Sequence, residues 1–122
     1  MRREPKIRVH EGTNAVTIEI QGDLTASAEK DMDAAYQEAR GYNPSNIVLK
    51  FDDRSRINSS GLAIVTNLVI ESREKGCRIF VSALSRHYRG IFEMTGLTKY
   101  ITIIESEDEI PAETGGTDNT QS

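Results

Sequence analysis

The residues best suited to chemistry lie together in the run Arg56-Ile57-Asn58-Ser59-Ser60-Gly61-Leu62, where a strand gives way to a helix. Two hydroxyls open that helix and a glycine sits just inside it. Glycine within a helix costs about 1 kcal/mol against alanine, so Gly61 calls for close packing or the close approach of a partner backbone. A serine becomes a nucleophile only when a base activates it. Ser60, Ser85 and His87 offer two hydroxyls and an imidazole, but no third group has an evident role as orienter, and Gly-x-Ser-x-Gly is absent. No catalytic residue is assigned, an enzyme is not expected, and His87 reads as a helix-surface residue. Cys77 is the one cysteine, which excludes an internal disulfide and a Cys-based zinc site; it reads as a small buried hydrophobe. His10 and His87 are far apart and lack metal-ligand spacing, so neither metal nor cofactor is expected.

The elements that position this run follow from periodicity. Residues 9–20 read as a hairpin, with Gly12 and Asn14 in the turn and Val16, Ile18 and Ile20 alternating with Thr17 and Glu19. Residues 25–40 form a first helix with Ala28, Met32, Ala35 and Ala39 on one face, stopped by Gly41. The run NIVLKF (46–51) suits a strand covered on both faces. A polar loop, 52–58, leads into a second helix over 59–75, closed by Gly76. A strand over 77–83, a helix over 86–95 capped by Ser85 and ended by Gly96, and a strand over 100–104 complete the domain. Strands alternating with helices after an opening hairpin predict an α/β fold, a mixed β-sheet covered by α-helices. In such folds partners meet the loops after the strand C-termini.

On the second helix, Leu62, Val65, Leu68, Val69 and Ser72 share a face assigned to the core at about 100° per residue. Ser60, Ala63, Ile64, Asn67 and Glu71 fall on the opposite side or its shoulders. Small and apolar residues facing outward beside a serine suit a docking surface. The competing reading is that Ser59 or Ser60 merely caps the helix.

Charge is uneven along the chain. Of 122 residues, 15 are Lys or Arg and 19 are Asp or Glu, a formal charge of −4. Six of the acids, Glu105, Glu107, Asp108, Glu109, Glu113 and Asp118, lie in residues 105–122, which hold no Lys or Arg. Residues 1–104 therefore carry 13 acids against 15 bases, a net of +2, and are expected to form the domain. Residues 105–122 read as an acidic, largely disordered tail. No apolar run approaches the ~20 residues of a membrane span. The start, MRREPKIRV, lacks an apolar h-region, so a cytoplasmic protein is expected, with no membrane partner. Arg2, Arg3, Lys6 and Arg8 make a basic arm, but Trp is absent and aromatic content is 6%, which argues against nucleic-acid binding.

The run LKFDDRSRINSSGLAIV (49–65) resembles the signature of STAS domains, the anti-sigma-factor antagonist family. Their pattern is a strand, a short polar loop, then Asp-Ser-Ser-Gly or Asp-Ser/Thr-x-Gly opening a helix. The similarity extends from Gly22-Asp23-Leu24 before the first helix, through Gly76 and the next strand, to FEMTGL (92–97), covering about residues 7–105.

The resemblance implies a partner-switching protein, an anti-anti-sigma factor. Ser60, immediately before the glycine, would be phosphorylated by an anti-sigma factor that is also a serine protein kinase. The unphosphorylated form would bind that partner, and a serine phosphatase would reset the switch. Asn58, Ser59, Gly61, Ala63, Ile64, Asn67, Glu71, Arg54 and Arg56 would form the binding surface around it. Where the best-known members carry Asp, this chain has Asn58, whose amide cannot act as an anionic base. A STAS scaffold or interaction subunit of a signalling or transport assembly, without phosphorylation, is the alternative. Arg54 and Arg56 would pair with a phosphate on Ser60 or with an acidic partner, or stand as solvated loop charges. A homodimer is compatible with either reading.

Overall fold

The computed structural model describes residues 5–112; Arg2 and Arg3 of the basic arm, and residues 113–122 of the tail, lie outside the described residues. Strands β1 (Lys6–Glu11) and β2 (Val16–Gln21) form the opening hairpin. A 3₁₀ turn (Ala26–Ala28) and helix α1 (Glu29–Arg40) lead to β3 (Asn46–Lys50). Then come α2 (Ser59–Glu74), β4 (Arg78–Ser82), α3 (Arg86–Met94), a 3₁₀ turn (Leu97–Lys99) and β5 (Ile101–Ile104). The expected first helix thus begins four residues late, its first turn wound as 3₁₀.

The five strands lie in sequence order, β1-β2-β3-β4-β5, with β1 antiparallel to β2 and every later pair parallel. The sheet is mixed, as the hairpin followed by strand–helix alternation requires. Each parallel crossover must carry a helix, and crossovers of one hand lay those helices on one face. Strand pleating sends Ile18, Leu49 and Val81, which stand opposite one another across β2, β3 and β4, to that face. There they pack with Met32, Tyr36, Val65, Leu68 and Phe92 in a single cluster. The predicted α1 face of Ala28, Met32, Ala35 and Ala39 is buried in it.

The other face of the sheet holds a smaller cluster, Ala15, Val48, Phe80, Ile104 and Ile110. Ile110 alters the expected boundary at residue 104. Beyond β5 the chain forms a capped 3₁₀ turn (Glu107–Glu109) and returns across the sheet with Ile110 buried. Buried Asn46 donates from Nδ2 to the carbonyls of Asn14 (3.0 Å) and Pro111 (3.3 Å), tying that return to the base of the hairpin. Ile110 therefore packs against the sheet beyond the expected boundary, while residues 105–109 stay exposed. No described helix is long and apolar enough to cross a membrane.

Candidate functional site

The parallel strands β2, β3 and β4 all end at one edge of the sheet, and the loops that follow them build the site. Two of these loops are stitched together. The Gly22 N–H donates to Asp52 Oδ2 (3.1 Å), the Arg56 N–H to Asp23 Oδ1 (3.1 Å), and the Leu24 N–H to the Arg56 carbonyl (2.8 Å). The Asn58 N–H returns to the Leu24 carbonyl (3.3 Å), closing a parallel bridge between Leu24 and Ile57. Asp52 Oδ1 also accepts from the Arg54 N–H (2.8 Å), which tightens the loop on itself. Both carboxylates are thus engaged by backbone donors, and together they fix where α2 begins.

Asn58 caps that helix: its Oδ1 accepts from the Gly61 N–H at 2.9 Å. The capping alternative for Ser59 and Ser60 is therefore removed, because the cap is Asn58, which precedes both. Each serine sits exposed in the first turn, and among the described residues neither hydroxyl has a hydrogen-bond partner. Gly61 is buried, unlike the surface position expected of it. A Cβ at this position would stand 2.8 Å from the Leu24 carbonyl carbon, closer still to its oxygen, and 3.1 Å from Ile57 Cγ2. The close approach that glycine permits is made by the chain's own backbone, so Gly61 acts by packing and not as a contact residue.

The remaining predicted residues fall into two groups. Ser60, Ala63, Ile64, Asn67 and Glu71 make one stripe, all within about 60° of Ser60 around the helix axis. Ile64, Asn67 and Glu71 line a groove of about 480 Å³ between α2 and α1, opposite Lys30 and Asp33 and floored by Met32, Tyr36 and Leu68. Arg54 and Arg56 are exposed on the loop, and neither guanidinium forms an ion pair with a described residue. Among the described residues, neither Ser85 nor His87 is hydrogen-bonded to Ser60. The Ser85 hydroxyl caps α3 by accepting from the Tyr88 N–H (3.3 Å), and the His87 ring meets Tyr88 edge-on at 4.8 Å.

Beneath the groove, the Ser72 hydroxyl donates to the buried Tyr36 hydroxyl at 3.0 Å, joining α2 to α1. Burial pushes the Tyr36 phenol above its ordinary value of 10.0; the Ser72 hydrogen bond opposes this, Glu71 adds to it, and Arg40 opposes it. Sequence reasoning placed Ser72 in the core without finding its partner. It also missed the positioning roles of Asp23 and Asp52, for which an Asp just beyond each of two apolar strands was the available signal.

A family model for the STAS domain matches residues 4–110. The chain belongs to the STAS family. Solved structures agree in fold. An anti-sigma factor antagonist from Mycobacterium paratuberculosis is 16% identical, with a TM-score of 0.73 over 88% of this chain and 91% of that one. The anti-sigma factor antagonist SpoIIAA in its unphosphorylated form is 18% identical, with a TM-score of 0.65 over 85% of this chain and 92% of that one. The Bacillus cell fate determinant SpoIIAA in its phosphorylated form is 19% identical, with a TM-score of 0.62 over 86% and 96%. In this STAS domain the loop–helix corner is built by Asp23, Asp52, Asn58 and Gly61, and it presents Ser60 to solvent.

Proposed function

We propose that this STAS domain is an anti-sigma factor antagonist that switches partners through Ser60. Unmodified, it binds an anti-sigma factor that is also a serine protein kinase; phosphorylation of Ser60 releases that partner, and a serine phosphatase restores binding. The domain is a substrate and binding module, not an enzyme, and its action is cytoplasmic, without cofactor, metal, nucleic acid or membrane. The observation that carries this reading is the division of labour at the start of α2, where Asn58 makes the cap and leaves the exposed Ser60 hydroxyl uncommitted.

Electrostatics supports the same reading. A phosphoserine adds about −1.5 to −2 charges at neutral pH. At a helix N-terminus the free N–H groups and the helix dipole tolerate that charge. The first turn of α2 contains no acidic residue to repel it. The charge therefore changes the surface shown to a partner and leaves the fold standing, with Arg54 and Arg56 available on the adjoining loop. Mass spectrometry of the protein from its own cells should find phosphoserine at position 60. With the kinase present, Ser60→Ala should remain bound and Ser60→Asp should be released; binding of Ser60→Asp as tight as wild type overturns the switch.

Asn58 favours a second reading, a STAS scaffold that is never phosphorylated, since its amide caps the helix but cannot act as an anion. That reading expects no phosphate at Ser60 in the cell and a complex indifferent to phosphatase.

A further inference from the structure

The groove between α1 and α2 runs beside the Ser60 stripe and has a chemistry of its own. Its floor of Met32, Tyr36 and Leu68 is apolar, and its charged lining residues are Glu29, Lys30 and Asp33 of α1 and Glu71 of α2. Three carboxylates against one ammonium give the rim a net charge of −2. Among the described residues none of these four groups is in an ion pair. Glu29, Lys30 and Asp33 are exposed, whereas Glu71 is half-buried. The Glu71 carboxylate reinforces the burial that raises the Tyr36 phenol, so its charge is felt at the floor. Residues 1–104 as a whole carry +2, which makes the groove a local reversal of sign.

We infer, on the strength of the partner reading above, that this groove docks a basic amphipathic segment of the kinase, with apolar side chains on the floor and Lys or Arg at the rim. The rim charge repels an acidic segment, a nucleic acid or an anionic lipid surface, and it attracts a cation. An apolar floor alone would accept any hydrophobe. Glu71 narrows the choice, because a carboxylate covered by a neutral segment loses water without gaining a partner. The groove is also continuous with the stripe, since Ile64, Asn67 and Glu71 belong to both. Glu71 lies eleven residues beyond Ser60, about 16 Å along the helix, past the roughly 10 Å over which exposed charges act at ~0.1 M salt. A phosphate on Ser60 therefore leaves the docking contact at Glu71 in place.

A peptide of about 15 residues with Leu on one face and Lys on the other is long enough to present such a segment as a helix. Titrated into the full chain, it should shift the amide NMR signals of Lys30, Asp33, Ile64, Asn67 and Glu71, with affinity falling as salt is raised. Asp33→Asn combined with Glu71→Gln should weaken binding at least about tenfold. Glu107→Gln combined with Asp108→Asn, at two exposed acids outside the groove, should leave it unchanged. No shift with the peptide at about 1 mM overturns the inference. So does equal binding of a Leu/Glu peptide, or equal weakening by the two double variants. Groove signals that move with protein concentration alone would make a second copy the occupant and overturn it as well. The titration uses neither kinase nor phosphate, so its failure leaves the Ser60 switch standing, and absence of phosphoserine at position 60 leaves the groove standing.

Discussion

The backbone of Gly61 lies against the carbonyl of Leu24, with room for hydrogen but not for a methyl group. This contact joins the first turn of α2 to the loop after β2, and it sets the height at which Ser60 emerges. Because the neighbour is backbone, held at both ends by the Leu24–Arg56 and Asn58–Leu24 hydrogen bonds, it has little freedom to move aside.

Gly61→Ala should therefore destabilise the domain even though alanine is the better helix former. The propensity gain of about 1 kcal/mol is outweighed by overpacking, and a net loss of roughly 1–3 kcal/mol is expected. Gly90, within α3, has open space where a Cβ would go, with nothing but its own helix backbone and chain neighbours near it, so Gly90→Ala should stabilise by about 0.5–1 kcal/mol. Urea titration of both variants should give midpoints shifted in opposite directions; a stabilising Gly61→Ala would show that the Leu24 loop yields.

Asn58 gives a second stability prediction. Asn58→Ala removes the only side-chain cap of α2 and should cost about 1 kcal/mol. Asn58→Asp keeps an acceptor for the Gly61 N–H and adds a negative charge at the positive end of the helix dipole, for a gain of about 0.3–1 kcal/mol at neutral pH. Thermal unfolding should place Asn58→Asp above wild type and Asn58→Ala below it; equal stability of wild type and Asn58→Ala would mean that the cap contributes nothing.

The buried Tyr36–Ser72 pair predicts a pH dependence. Burial raises the folded-state pKa of Tyr36 above the ordinary 10.0. Between those two values the folded state holds a proton that the unfolded state has lost. The contribution is thus fully present below pH 10 and declines as pH rises through the folded-state value. Tyr36→Phe should cost about 1 kcal/mol near neutrality by leaving the Ser72 hydroxyl unpaired. Above pH 10 the gap between the two proteins should narrow; parallel curves would rule Tyr36 out as the source.

Much of this was legible in the sequence because it is written in local periodicity. Val16, Ile18 and Ile20 alternate as a half-buried strand must, and Ile47, Val48 and Leu49 are each fully buried because β3 is covered on both faces. What could not be read were contacts between distant segments. Three consecutive residues, Asn58, Ser59 and Ser60, are all good caps by type; the choice is made by the tie to Leu24, more than thirty residues earlier. Ile110 is a lone apolar residue in an acidic segment, so no pattern announces its burial against Val48 and Phe80. Ile70 follows the inward-facing Val69 directly, and only the placement of Tyr100 and Leu97 shows that it borders a groove.

The switch reading makes its sharpest demand on stability, not on binding. Ser60→Asp places a carboxylate in the first turn of α2, where no acidic residue stands and where the helix dipole favours it. Ser60 is exposed and its hydroxyl has no hydrogen-bond partner among the described residues, so the substitution removes no internal contact. Its unfolding free energy should match wild type within about 0.5 kcal/mol, or exceed it slightly. Binding to the kinase should fall by at least about tenfold, since a new charge must be desolvated within the interface. The two measurements belong together. A variant that loses both stability and binding would release its partner by unfolding, and the phosphate would then act through the fold; loss of binding at unchanged stability is the outcome a surface switch requires.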